Sequence, residues 1–157
     1  MLRLVRKYWT VLRVGLVVFR IRLLLRVWSL PRVLATLSPV RVTGERDDSV
    51  MDDVIYYVDR WLQMVPYNRK GNCFPRSLAV YYFAWRSGYP VQFHCGVRIG
   101  YLSLEGHAWL TLSGEPFYEL TQQWKNFTVT YSCPPDAAQV EAKLETTSSD
   151  SSPAVSS

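Results

Sequence analysis

Asn72-Cys73-Phe74-Pro75-Arg76-Ser77 opens a helix in the middle of this 157-residue chain. Proline is tolerated in a helix only in the first turn, so Pro75 places Cys73 at the helix N-terminus, and the pattern predicts a helix from Cys73 to about Ser87. The partial positive charge at a helix N-terminus favours a thiolate over a thiol. Cys73 is therefore a candidate nucleophile.

A second stretch, Gly106-His107-Ala108-Trp109, supplies the base that a nucleophilic thiol needs. The pattern predicts a strand over 107–112 with His107 at its start. An imidazole can serve a cysteine that is distant in sequence, because folding brings the two together. The other histidine, His94, lies within a predicted strand on its polar face, so His107 is favoured as the base. The two stretches indicate a cysteine hydrolase or an acyl transferase.

The remaining elements are predicted around these two stretches. Helices are expected over 2–28 and from a cap at Ser49 to a stop before Pro66. Strands are expected over 91–99, 107–112, 117–120 and 127–132. Because the helices precede an antiparallel sheet, the sequence predicts an α+β domain.

Composition limits the classes of protein to which the chain can belong. Hydrophobic residues make up 48% and aromatic residues 14%, which is enough for one packed domain. The three cysteines include no Cys-x-x-Cys pair and suggest a reducing compartment rather than a disulfide framework. We expect an N-terminal helical arm at 1–46, a catalytic domain at 47–145 and a disordered Ser-rich tail at 146–157.

Positive charge is concentrated in the arm. Residues 1–46 contain ten Lys or Arg and one acid, whereas residues 47–157 contain eight Lys or Arg and twelve Asp or Glu. Because the candidate catalytic region is mildly acidic, nucleic acid is not an expected partner. No apolar run in the arm is long enough for a membrane-spanning helix, and none is followed by a signal-peptide cleavage pattern.

Three interpretations of the arm are open. Its helix can pack on the domain with arginine stems over apolar surface, lie in the interface of the cytoplasmic membrane face, or dock onto a partner protein. The protein is accordingly expected in the cytoplasm, with peripheral membrane contact through this helix as one alternative.

Four sequence blocks resemble the transglutaminase-like leader peptidases of lasso-peptide biosynthesis. They are Cys73-Phe74-Pro75-Arg76-Ser77-Leu78-Ala79, Arg86-Ser87-Gly88-Tyr89-Pro90, Gly96-Val97-Arg98 and Gly106-His107-Ala108-Trp109. The resemblance implies a transglutaminase-like, papain-like fold. It also implies a cysteine peptidase that removes the leader from a ribosomally made precursor peptide through a Cys thioester, before an ATP-dependent lasso cyclase closes the ring.

The resemblance also assigns roles by position. It makes Cys73 the nucleophile and His107 the base, and the acidic third member falls on Glu119, where the family has Asp. It implies no cofactor and no metal. The implied partners are the leader of the precursor peptide, the cyclase and a separate leader-recognition protein, since residues 1–46 show no strand pattern of a recognition domain.

The predicted hairpin bears on the role of Glu119. With a two-residue loop at Ser113-Gly114, His107 would pair with Leu120, and Glu119 would point to the opposite face. A three-residue loop or an equivalent bulge would make Glu119 and His107 diagonal neighbours on one face. A catalytic Glu119 therefore requires the odd register. The alternative is an exposed strand glutamate, and Glu115 in the turn is a poor substitute.

Other functions are open at this point. An acyl transferase of similar fold would use the same thioester, and a non-catalytic peptide-binding module would keep the fold alone. A structural metal site would use the cysteines and histidines, although their spacing matches no zinc pattern. Trp109 and Tyr118 are candidates for a substrate groove or for the core. Arg76 is a candidate for setting the local potential or for holding the fold.

Overall fold

The computed structural model describes residues 2–38, 45–64, 71–100, 103–119 and 122–134. These residues form four α-helices, α1 (Leu2–Val27), α2 (Leu30–Leu37), α3 (Asp48–Met64) and α4 (Cys73–Arg86). They are followed by β1 (Gln92–Ile99), β2 (Leu104–Leu112), β3 (Glu115–Pro116), a short 3-10 helix (Gln122–Asn126) and β4 (Thr128–Cys133). The sheet is antiparallel with the order β3-β2-β1-β4. The predicted α+β class is confirmed.

A single hydrophobic core joins the four helices to the sheet. The helix α1 contributes Val14, Val18 and Ile21, which are almost fully buried. The helix α4 lies against the sheet, where the ring of Tyr81 packs edge-on against that of Phe93. The predicted arm thus shares its core with the rest of the chain. The domain boundaries expected at residues 46 and 145 stay predictions, and the tail at 146–157 lies outside the described residues.

Gly15 sets how closely α1 approaches α3. The indole ring of Trp61 lies on Gly15, where an added Cβ would be 2.5 Å from a ring carbon. The indole Nε1 of Trp61 also donates a hydrogen bond to the carbonyl oxygen of Val11 at 3.0 Å. α1 therefore packs on the domain, as the first interpretation of the arm expected. None of the described helices combines the length and apolar composition needed to cross a bilayer.

The cap of α3 is an aspartate and not the predicted Ser49. The carboxylate of Asp47 accepts hydrogen bonds from the backbone N–H of Val50 at 3.2 Å and from the hydroxyl of Ser49 at 2.8 Å. Asp47, two residues before Ser49, takes the capping position and accepts from the free N–H groups of the helix start. Ser49 therefore lies inside the first turn.

The strand β2 begins at Leu104, three residues before the predicted start at His107. The ladder with β1 continues to the pair Ile99 and Leu104, and an ion pair at 2.6 Å joins Arg98 to Glu105 across it. His107 consequently lies inside the strand, opposite Gly96.

The predicted strand over 117–120 is wrong for the residues that the structure describes. β3 contains only Glu115 and Pro116, which pair with Leu112 and Thr111 around a two-residue turn. The chain then leaves the ladder in a bend, and Tyr118 has a φ of 53°. Leu120 lies outside the described residues.

Candidate active site

The helix α4 presents Cys73 at its first position, as the sequence predicted. Pro75 lies in the first turn, where its missing N–H costs no helical hydrogen bond. Asn72 precedes the helix but makes no side-chain cap. Its amide group donates instead to the carbonyl oxygen of Leu62 at 3.5 Å. The positive end of α4 therefore has no side-chain cap from Asn72 to compete with a thiolate.

β2 brings His107 to Cys73. A buried hydrogen bond at 2.9 Å from the hydroxyl of Ser77 to the carbonyl oxygen of Ala108 joins α4 to β2 next to the histidine. The His107 ring lies nearly parallel to that of Trp109 at 6.0 Å, and the ring of Phe127 lies 5.2 Å away. These contacts orient the imidazole, whose side chain is 25% exposed.

Glu119 reaches His107 by a route that differs from the predicted one. The loop has two residues, so the odd register that we required for a catalytic Glu119 is absent. Instead, the bend at Tyr118 turns the chain out of the ladder, and Oε2 of Glu119 lies 3.7 Å from Nε2 of His107. This is the separation of an ion pair and is longer than a hydrogen bond. The glutamate is 9% exposed, so it is not the exposed strand residue of the alternative.

The two nitrogens of His107 face different groups. Nε2 is buried, faces Glu119 and has no hydrogen-bond partner among the described residues. The other nitrogen, Nδ1, is therefore the one available to Cys73. The interaction with the Cys73 thiol raises the pKa of His107 to about 9, with a second contribution from the Glu119 carboxylate, although partial burial works in the opposite direction.

The pKa of the Cys73 thiol shifts in the opposite direction from the pKa of the His107 imidazole. Partial burial alone would raise the pKa of Cys73. The interaction with His107 and the backbone N–H groups of Ala108 and Phe74 outweigh this effect and lower the pKa of Cys73 below its usual value. A lowered pKa of the Cys73 thiol and a raised pKa of the His107 imidazole favour a thiolate–imidazolium pair near neutral pH.

Arg76 links the site to α3. Its guanidinium donates to both carboxylate oxygens of Asp59, at 2.7 and 3.3 Å. It also donates to the carbonyl oxygen of Tyr118 at 3.1 Å, immediately before Glu119. The hydroxyl of Tyr118 in turn donates to Asp52, also on α3, at 2.5 Å. Arg76 therefore holds the bend that carries Glu119, and no local sequence signal pointed to Asp59 as its partner.

Three other candidate residues are buried and do not line an open site. His94 is buried, and its two ring nitrogens bond the hydroxyls of Ser132 and Thr111. Trp109 is 2% exposed and belongs to the interior rather than to an open groove. Cys95 is also buried, and burial raises the pKa of its thiol. The structure thus brings together Cys73, His107 and Glu119 from the sequence candidates, and their catalytic roles stay a prediction.

A metal site is not formed by the described part of the chain. Within those residues, no group of three or more His, Cys, Asp or Glu side chains is arranged to hold a metal ion.

A protein-family model matches most of the chain. The family model described as the transglutaminase-like superfamily matches residues 14–132, which include the whole of the site and most of α1. No curated protein and no solved structure matches the chain at a significant level.

Proposed function

This chain belongs to the transglutaminase-like superfamily, whose members are usually cysteine-based enzymes, and we propose that it is a cysteine peptidase that removes the leader from a lasso-precursor peptide. The observation that carries the catalytic part is the pairing of Cys73, at the positive end of α4, with His107 on β2. The substrate class is supported by the four sequence blocks that resemble lasso leader peptidases.

In the first chemical step, the thiolate of Cys73 attacks the carbonyl carbon between leader and core. Negative charge develops on the carbonyl oxygen, and the backbone N–H of Cys73 is the candidate donor to it. The carbon–nitrogen bond then breaks, and the His107 imidazolium gives its proton to the leaving amine of the core peptide. The leader stays on Cys73 as a thioester, and His107 is left neutral.

In the second step, neutral His107 takes a proton from water. The resulting hydroxide adds to the thioester carbonyl, the carbon–sulfur bond breaks, and the leader leaves as a carboxylic acid, which then loses its proton to water. The thiolate–imidazolium pair is thereby restored. Glu119 acts through His107, since its carboxylate is 3.7 Å from Nε2 and favours the imidazolium form.

The proposal includes partners and a compartment. A separate leader-recognition protein would deliver the precursor, and an ATP-dependent cyclase would close the ring on the released core. These reactions belong to the cytoplasm, where a free thiol such as that of Cys73 stays reduced.

The experiment uses a candidate lasso-precursor peptide together with a candidate leader-recognition protein. Incubation with the wild-type protein should give two products whose masses sum to the precursor plus one water. Cys73→Ala should abolish cleavage, whereas Cys133→Ala, which removes another partly exposed thiol, should leave it intact. Cleavage by Cys73→Ala at the wild-type rate would refute the mechanism.

The same mass spectra separate the peptidase from an acyl transferase. A transferase would join the leader carbonyl to an amine in place of water, and the masses would identify the ligated product. The catalytic residues of an acyl transferase would be the same as those of the peptidase, because only the group that attacks the thioester differs.

A further inference from the structure

We propose that α1 carries a binding surface for anionic membranes, formed by the side of the helix that faces away from the core. Eight large hydrophobic side chains on this side are between 51% and 75% exposed. They define the outer face of α1 and are Val5, Tyr8, Trp9, Leu12, Leu16, Phe19, Leu23 and Val27. This inference rests on α1 alone and is independent of the proposed peptidase activity.

The outer face forms one continuous stripe. At 3.6 residues per turn, its eight positions fall within an arc of about 100° along the whole length of the helix. The buried residues Val14, Val18 and Ile21 lie on the opposite side, where α1 meets the core. Contiguous exposed apolar surface of this extent marks an interaction site rather than an ordinary protein surface.

Arginines flank the stripe on both sides. By helical position, the exposed Arg13 and Arg20 lie along one edge, and the exposed Arg26 lies along the other, next to Arg22, whose Nη1 is buried in the protein. The sequence of α1 contains seven Lys or Arg and no acidic residue. Apolar side chains bordered by arginines match the boundary between lipid tails and anionic headgroups, where the rings and aliphatic groups enter and the guanidiniums stay at the headgroup level.

The charge pattern favours lipid over a second copy of the chain. Two outer faces packed together would bring arginine rows close to one another, and α1 offers no carboxylate to pair with them. An anionic bilayer supplies both the apolar phase and the negative charge. Since no described helix can span a bilayer, α1 would lie parallel to the membrane plane with the domain on its aqueous side.

The test is co-sedimentation of the full chain with phosphatidylcholine vesicles, with and without phosphatidylglycerol. Binding to the anionic vesicles should be roughly a hundredfold tighter than to neutral ones and should weaken with added salt. Leu16→Ser with Phe19→Ser should lower the partition coefficient by about tenfold or more. The pair Arg20→Gln and Arg26→Gln should lower it by about tenfold on anionic vesicles and hardly at all on neutral ones.

Controls match each substitution in exposure and chemistry. Ile99→Ser removes a 91% exposed apolar side chain away from α1, and Arg60→Gln removes an exposed arginine from α3. Neither should change binding. Thermal unfolding followed by circular dichroism checks that each variant is folded, which is expected because the substituted side chains are exposed.

A spectroscopic measurement reports insertion directly. Of the six tryptophans, all within the described residues, only Trp9 is exposed. Lipids brominated on their acyl chains should quench its fluorescence, and Trp9→Phe should remove the quenching while it keeps binding within about threefold. Three results would overturn the proposal: no binding to anionic vesicles, full binding by the Leu16→Ser, Phe19→Ser protein, or dimerisation without lipid that this double variant abolishes. No binding to anionic vesicles would indicate a protein partner for the outer face, and dimerisation without lipid would indicate a second copy of the chain.

Discussion

The replacement Glu119→Gln should lower the pKa of His107 by about one pH unit or more from its wild-type value of about 9. The wild-type value lies about 2.5 above the ordinary 6.5, with the larger contribution from Cys73 and the next from Glu119. Two unit charges about 4 Å apart interact by about 1 kcal/mol in water and by more where they are partly buried, which corresponds to a change of about one pH unit or more in the pKa. Removing a negative charge 3.7 Å from Nε2 disfavours the protonated ring, so the shift is downward.

Nuclear magnetic resonance titration of the imidazole nitrogens measures this shift without any substrate. The chain has two histidines, and His94, hydrogen-bonded to two hydroxyls in the interior, serves as an internal reference. Glu115→Gln removes the exposed acid of the same hairpin and should leave the midpoint at about 9. Cys73→Ala should lower it further than Glu119→Gln does, because the thiol is the larger cause. A midpoint that stays near 9 in Glu119→Gln would refute the role assigned to the carboxylate.

Two further substitutions test the contacts that support the site and the arm. In Arg76→Lys a single ammonium replaces the fork that binds Asp59 and the Tyr118 carbonyl. The titration midpoint of His107 in Arg76→Lys should lie between the wild-type value and the Glu119→Gln value. In the double variant the Arg76→Lys change should cause no shift beyond that of Glu119→Gln. If Arg76 only stabilised the fold, the midpoint would stay at the wild-type value. Gly15→Ala should destabilise the protein by about 1 kcal/mol in urea unfolding, because crowding against Trp61 outweighs the gain in helix propensity. In a Trp61→Leu background the same change should instead stabilise it by about 1 kcal/mol, and destabilisation in both backgrounds would contradict this account.

The elements that the sequence predicted correctly have local causes. Pro75 restricts the start of α4, and Gly88, with a φ of 83°, follows its end. The alternation of apolar and polar residues defines β1, which begins at Gln92 within the predicted 91–99. Each of these signals acts on residues near it in the chain, so one sequence is enough to recognise them. The positions of Cys73 at a helix start and of His107 on a strand followed directly.

The third member of the site could not be predicted in the same way. The sequence left open a loop of two or three residues, and a catalytic Glu119 was expected to require three. The loop has two residues, and Glu119 approaches His107 because the chain leaves the ladder after Pro116. The bend at Tyr118 is held by a hydrogen bond from Arg76 to the Tyr118 carbonyl oxygen. The contact joins residues 42 apart in sequence. A single sequence contains no local trace of such a contact, whereas the family position, twelve residues after the histidine, pointed to the glutamate that lies 3.7 Å from His107.

The outer face of α1 shows a different limit of sequence reasoning. Both sides of the helix are apolar, so periodicity alone cannot say which side faces the core. The burial of Val14, Val18 and Ile21 decides it, because these side chains enter the core that α1 shares with the rest of the chain. Once that side is buried, the opposite apolar side is left at the surface, with arginines at both of its edges. The packed helix and the interfacial helix, alternatives in the sequence, are therefore compatible, because they use opposite sides of α1.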